Sequence, residues 1–310
     1  MTSTTGTTVA GPPLVVGAGG QVGNALRVVL GSRSVGTWRR PPPGALAFDL
    51  EAAARTPELA DRLVAAVRPS VVFVAAGMTH VDGCEDAPEL ARAVNRDGPA
   101  ALARATRATG GRTVYFSTDY VFDGTDGPFT EDDPVRPLSV YGHSKAEGEQ
   151  AVLEADDAAL VVRTTVVYGA EPHGRNFAYQ VVNRLRRGEP VQAAGDQITT
   201  PTYNPDLAAA TTGLVDAGVS GVVHVAGPEV MDRAGFARRL AAAAGLDPGP
   251  IQSLSTVELG QRAARPLVAG LRIDRLRALL PSLPPRVVED AVAHWAGTDP
   301  APPWRVGRGG

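Results

Sequence analysis

The chain carries twenty-nine arginines and a single lysine, and that lysine, Lys145, stands four residues after Tyr141 in the run Tyr141-Gly142-His143-Ser144-Lys145. With six tyrosines in 310 positions, chance puts a lone lysine four places after one of them only about 2% of the time. Wherever a bare positive charge suffices the sequence uses arginine, so position 145 needs an ammonium. Lysine offers a compact point charge with rotatable donors, suited to a place beneath a ribose and beside a phenol, where the planar fork of arginine is not. On a helix, residues i and i+4 share a face, so Tyr141 and Lys145 would be neighbours. A cation beside a phenol favours the phenolate and would lower the tyrosine pKa from about 10, making it a proton donor and acceptor nearer neutrality.

These side chains need a frame. Short β-rich apolar runs at residues 14–16, 34–38, 45–48, 71–75, 113–117 and 160–163 alternate with helix-length segments at 21–30, 57–67, 88–109 and 139–154. That alternation predicts a parallel sheet covered by helices on both faces. Further helices are expected at 177–187, 205–217, 232–244 and 286–295, separated by Pro/Gly-rich loops. The fold class expected is thus α/β, a Rossmann-type doubly wound parallel sheet with a smaller C-terminal α/β portion. Residues 1–12 read as a disordered leader, 13–168 as the dinucleotide-binding part, 169–298 as mainly the second portion with some segments returning to the sheet, and 299–310 as a loose tail.

Directly after the first strand, Gly17-Ala18-Gly19-Gly20-Gln21-Val22-Gly23 runs into a helix. Glycines there permit a tight turn and close backbone approach, and the helix N-terminus offers unpaired N–H groups to a pyrophosphate, with Gly17, Gly20, Gln21 and Val22 as candidate contacts. The second strand ends in Arg39-Arg40 where an NAD-preferring site would carry an acid for the ribose 2′-hydroxyl. Two arginines favour a 2′-phosphate, hence NADPH over NADH. Asp49 and Leu50 would flank the adenine, and Ala75-Ala76-Gly77 would form a side-chain-poor wall along the ribose and nicotinamide.

The composition excludes several classes. A net charge of −3, with arginines dispersed among acids, argues against a nucleic-acid partner. No apolar run approaches the length of a membrane span. The single cysteine, Cys84, excludes an internal disulfide and multi-thiolate metal sites, and makes a reducing cytoplasm the expected setting. His143, His173, His224 and His294 are scattered with no metal-ligand spacing, so no metal site is assigned. A homodimer is compatible with the chain, although no helix announces an interface.

The strand after residue 112 ends in Ser117-Thr118-Asp119-Tyr120-Val121-Phe122-Asp123-Gly124, at the carboxyl edge where open α/β sheets bind ligands. Thr118, Tyr141 and Lys145 form a Ser/Thr–Tyr–Lys constellation. Together with the glycine turn it resembles the extended short-chain dehydrogenase/reductases. More narrowly, that run, Glu131-Asp132, Pro137 with Tyr141-Gly142, Arg163-Thr164, Tyr168-Gly169, Asn176-Phe177, Pro201-Thr202 and Arg265-Pro266 are similar to the dTDP-4-dehydrorhamnose reductase family. The resemblance implies reduction of a 4-keto group on a nucleotide-linked 6-deoxyhexose by hydride from the nicotinamide. Tyr141 would protonate the oxygen as general acid, Thr118 would hydrogen-bond it, and Lys145 would hold the nicotinamide ribose and lower the tyrosine pKa.

By the same resemblance, Asn95 sits on the helix behind the site. Thr79, Val81, Tyr120, Asn176, Phe177, Gln197 and Arg265 would line the sugar-nucleotide pocket, Arg265 being suited to a diphosphate. Some family members recruit Mg2+ at an interface, and no separate motif here requires it. Val166, where an aromatic residue is common, and Val74, where Asn is common, leave the identity of the sugar open. A 4,6-dehydratase would need an acid pair after the threonine, and Tyr120 follows Asp119 instead. The alternative from another class is a non-catalytic NADP-binding regulatory subunit resembling the methionine adenosyltransferase β subunit, which turnover separates from a reductase.

Overall fold

The computed structural model describes residues 11–299 and 301–304; residues 1–10 of the leader expected over 1–12, and residues 300 and 305–310 of the tail expected over 299–310, lie outside the described residues. The chain starts with β1 (Leu14–Val16), α1 (Gln21–Leu30), β2 (Val35–Trp38) and β3 (Leu46–Ala47). Helices α2 (Leu50–Arg55) and α3 (Glu58–Val67) lead to β4 (Val71–Val74). Helices α4 (Val81–Asp86), α5 (Pro88–Arg92) and α6 (Gly98–Ala108) precede β5 (Arg112–Thr118), and α7 (Val140–Ala155) precedes β6 (Leu160–Thr164). These six strands and a late seventh form a sheet in which every pairing is parallel, ordered with β4 next to β1 and β5 next to β4. Connections leave β1 in opposite directions on its two sides, and the crevice at that switch point is where such sheets take ligands.

Both faces of the sheet are covered. Val15, Phe73, Val114 and Val162 point into one apolar cluster, and Leu14, Val16, Val72 and Val74 into the other. This period-2 split of a continuous apolar run marks a strand buried on both sides.

Beyond β6 come β7 (Val167–Tyr168), α8 (Phe177–Arg186), β8 (Val191–Ala194), β9 (Ile198–Thr199), β10 (Thr202–Tyr203) and α9 (Asn204–Asp216). Leu207 and Leu214 of α9 share a cluster with Leu26 of α1, and β11 (Gly221–His224) adds the seventh strand, parallel to β6. The remainder is β12 (Met231–Asp232), α10 (Arg233–Ala243), β13 (Ile251–Leu254), α11 (Asp274–Leu279) and α12 (Val288–Thr298). A separate core gathers Tyr168, Phe236, Leu240 and Trp295.

The structure corrects two expectations. The helix read as continuous over 88–109 is broken by a π segment at Ala93–Asp97. Pro99 has no N–H to give the carbonyl of Asn95 four residues earlier, and Tyr115 Oη supplies the missing donor at 2.6 Å. Gly148 of α7 approaches the same carbonyl so closely that a Cβ there would lie 2.2 Å from it. The tail is not loose throughout 299–310. Asp299 accepts a hydrogen bond from Trp295 Nε1 at 3.0 Å, Arg186 Nη1 donates to the Pro303 carbonyl at 2.6 Å, and the Trp304 ring stands edge-on to Trp295 at 4.7 Å. An indole with an apolar partner and a polar anchor is enough to hold a Pro-rich segment down.

Candidate active site

A cavity of about 660 Å3 runs along the carboxyl edge of the sheet. One end is the glycine turn. Gly17 has φ of +88°, and a Cβ there would sit 2.7 Å from the Ala76 nitrogen, so only glycine lets the β1–α1 turn lie against the β4 loop. Gly17, Gly20, Gln21, Val22, Arg39, Asp49, Leu50, Ala75, Ala76 and Gly77 all line this end, as the sequence suggested. Asp49 also caps α2, accepting from the Glu51 N–H at 2.9 Å. Arg40, expected alongside Arg39, is exposed and does not line the cavity.

Thr118, Tyr141 and Lys145 meet in the middle, with Thr79, Val81 and Tyr120 on the same wall. Ser139 starts α7 by accepting from the Gly142 N–H at 3.2 Å, which sets the helical face that Tyr141 and Lys145 share. Asn95 fixes α7 and the β4 loop together. Its Oδ1 accepts from the Met78 N–H at 2.8 Å, while its Nδ2 donates to Met78 O at 3.0 Å and to Ser144 Oγ at 2.9 Å.

Lys145 Nζ donates to the Phe116 carbonyl at 2.6 Å and lies 3.9 Å from the Tyr115 ring centroid. Burial pushes its pKa down to about 7, opposed by Glu149. The Tyr141 pKa is not brought down toward neutrality, as the i+4 spacing to Lys145 suggested, because burial outweighs any neighbouring charge. The Tyr141 hydroxyl is pushed well above its ordinary value, first by burial and further by Asp119, Tyr120 and Cys84, with the Thr118 side chain opposing. A phenol removed from water holds its proton because the phenolate loses most on desolvation.

Asp119, also on the cavity wall, is buried. Its carboxylate accepts from Thr165 Oγ1 at 2.6 Å and from Thr118 Oγ1 at 3.0 Å, and Thr165 Oγ1 lies 3.0 Å from Thr199 Oγ1. Burial raises its pKa to about 6, against those hydrogen bonds and the charge of Arg233. Next to Thr165, Val166 adopts φ of +38° on the wall of the cavity. A β-branched residue rarely tolerates that region, and such strain gathers at ligand sites.

Four expected substrate contacts do not line the cavity. Asn176 caps α8 and donates from Nδ2 to Gly169 O at 2.9 Å. Gln197 Nε2 donates to Thr256 Oγ1 at 2.9 Å and Gln261 Oε1 at 2.7 Å. Arg265 Nη2 is tied to Asp82 Oδ1 at 2.9 Å. Phe177 packs beneath the guanidinium of Arg233, 4.4 Å from ring centroid to Cζ. Arg233 itself reaches the cavity and was not singled out by sequence, because it follows β12, far from any motif, and only the fold carries it to the site.

The sheet order, the glycine turn at the switch point and a buried Tyr/Lys pair beside a threonine define a nicotinamide-dependent short-chain dehydrogenase/reductase of the extended type. Comparison with known proteins narrows this. The family model described as RmlD substrate binding domain matches residues 13–296. The dTDP-4-dehydrorhamnose reductase of Mycobacterium tuberculosis is 41% identical over 216 residues, covering 67% of this chain and 70% of its own. That of Streptomyces griseus is 36% identical over 275 residues, 86% of either chain. The crystal structure of dTDP-4-dehydrorhamnose reductase from Bacillus anthracis in complex with NADP superposes with a TM-score of 0.80 at 28% identity, over 93% of this chain and 99% of that one. The chain belongs to the dTDP-4-dehydrorhamnose reductase family, and so to the sugar-nucleotide ketoreductases that use a nicotinamide cofactor.

Proposed function

We propose that this chain reduces the 4-keto group of a nucleotide-linked 6-deoxyhexose with NADPH. The observation that carries the reading is the convergence of Thr118, Tyr141 and Lys145 on one cavity that continues to the glycine turn. The cavity suits a dinucleotide. Gln21 Nε2, Ser117 Oγ and Thr164 Oγ1 are buried polar atoms without a protein partner, all on residues of its wall, and such atoms call for a ligand or solvent to satisfy them. Arg39 at the glycine end fits a 2′-phosphate, which supports NADPH over NADH. When bound, the reduced nicotinamide supplies the hydride.

The rest of the chemistry falls to the chain. As negative charge grows on the carbonyl oxygen, a proton must reach it. Tyr141 is the donor, and its raised pKa keeps the hydroxyl protonated at neutral pH, the form that a general acid requires. Lys145 supplies a cation beside the phenol as the proton leaves. The single hydroxyl hydrogen of Thr118 is directed to Asp119; turning that rotor redirects it to the substrate oxygen. Residues 13–168 would hold the cofactor and most of 169–298 the sugar nucleotide.

Tyr141→Phe tests the reading. It should remove turnover while leaving NADPH affinity within about twofold, since the ring and its packing remain. Turnover near the wild-type rate in Tyr141→Phe would remove Tyr141 from the role of acid.

A further inference from the structure

In the reductase reading each turnover takes one proton from Tyr141, and the phenolate left behind must be recharged before the next. Four side chains act on the Tyr141 hydroxyl: Thr118, which hydrogen-bonds it, and Asp119, Tyr120 and Cys84, which act by charge. Burial lifts Tyr120 above its ordinary value and Cys84 to about 11, so neither releases a proton near neutrality. Asp119 is the strong enough acid. Burial puts its carboxyl at about 6, against the bonds from Thr165 and Thr118 and the charge of Arg233, which faces it from α10.

The hydrogen bonds set the direction of transfer. Thr165 Oγ1 donates to Asp119 Oδ2 at 2.6 Å; with that hydrogen committed, Thr199 is the donor in the 3.0 Å contact between Thr165 Oγ1 and Thr199 Oγ1. Oδ1 is then the oxygen left to carry the carboxyl proton, and it lies 3.0 Å from Thr118 Oγ1. The Tyr120 N–H donates to that same threonine oxygen at 3.2 Å, which holds it in place while its hydroxyl turns. Asp119 is only 4% exposed but lines the cavity, so the cavity is its route to water.

Resting on the reductase reading above, we propose that Asp119 is the proton reservoir that recharges Tyr141 through the hydroxyl of Thr118. After Tyr141 has protonated the substrate oxygen, its phenolate takes the Thr118 hydroxyl hydrogen, and Thr118 Oγ1 takes the proton of Asp119 Oδ1. The carboxylate takes a proton from water once the product has left. The O–H bonds broken at Thr118 and Asp119 are matched by those formed at Tyr141 and Thr118. Nothing is oxidised or reduced in these steps, and each turnover consumes one solvent proton. Loss of the reservoir therefore spares the first proton transfer and starves the later ones.

Stopped-flow NADPH oxidation with a dTDP-4-keto-6-deoxyhexose tests this, comparing a single turnover under excess enzyme with the steady state for the wild type, Asp119→Asn and Asp119→Ala. Asparagine keeps the size of the side chain and polar partners for both threonines but has no carboxyl proton to give. In Asp119→Asn the first turnover should stay within about threefold of the wild type while the steady-state rate falls about tenfold or more, leaving a burst of one NADPH per active site. In Asp119→Ala, acetic acid, which matches the deleted group in size, should restore part of the steady-state rate. Equal losses in both regimes would make Asp119 a mere support for Thr118 and overturn the inference, as would failure of acetic acid to revive a folded Asp119→Ala. No turnover by the wild type removes the reductase reading and this inference with it, whereas wild-type turnover with an unimpaired steady state in Asp119→Asn removes the inference alone.

Discussion

Lys145 should make the stability of the protein depend on pH in a way that Lys145→Met removes. Burial takes its pKa from an ordinary 10.5 to about 7. Below 7 the amine is charged in folded and unfolded chains alike, and the full cost of burying the charge stands. Between about 7 and 10.5 the unfolded chain holds a proton that the folded chain has released, so stability rises with pH; above 10.5 the cost is gone. Each unit is about 1.4 kcal/mol. Starting from half-protonation near pH 7, the gain by pH 9 is about 2 kcal/mol. Cys84, raised from 9.0 to about 11, contributes the opposite sign chiefly above pH 9, and His224, lowered to about 3, has lost most of its proton in the unfolded chain by pH 7; both contributions are common to the two proteins and cancel. The assay is urea unfolding of cofactor-free protein at pH 7 and pH 9, wild type against Lys145→Met. Loss of the bond to Phe116 O lowers the variant's stability at both pH values and cancels from the difference. Parallel pH profiles for the two proteins would refute the burial argument for Lys145.

Gly17→Ala should abolish dinucleotide binding and cost about 1–3 kcal/mol of stability, because the new Cβ would meet the Ala76 backbone at φ of +88°; circular dichroism and NADPH titration check both. Arg39→Ala should weaken NADPH by about tenfold or more and leave NADH within about twofold, whereas Arg40→Ala, off the cavity wall, should change neither; fluorescence titration of the two cofactors separates them. Trp304→Ala should lower stability by about 1–3 kcal/mol through lost contact with Trp295, read as a shift of the urea midpoint with kcat unchanged.

The sheet half of the molecule was legible because it obeys local rules. Apolar runs such as Val71–Val74 alternate with amphipathic segments, and α1 runs over Gln21–Leu30 as its glycine-rich start and Gly31 stop imply. Tyr141 and Lys145 were legible because their spacing is the helix period. What stayed hidden depends on contacts distant in sequence. The four residues of β11 show no pattern of their own and become a strand by pairing with β6. Helices α2 and α4, six residues each, are too short for a periodic signal. The π segment follows from Pro99, which has no N–H for the Asn95 carbonyl, and from Tyr115, distant in sequence, whose hydroxyl donates to that carbonyl instead. Gln197 and Arg265 carry the side-chain types of ligand contacts, but Thr256 and Gln261 occupy the Gln197 amide, Asp82 holds Arg265 Nη2, and Arg233 had no motif to announce it. The Tyr141 acidity was misjudged from spacing alone, since the i+4 cation was weighed and burial was not.

The central claim is tested most directly by following nicotinamide oxidation with enzymatically generated dTDP-4-keto-6-deoxyhexoses, with NADPH and NADH in parallel and Tyr141→Phe as control. The account predicts oxidation that needs the keto sugar, prefers NADPH and vanishes in Tyr141→Phe. Tight NADPH binding without oxidation on any of these 4-keto sugars would contradict it.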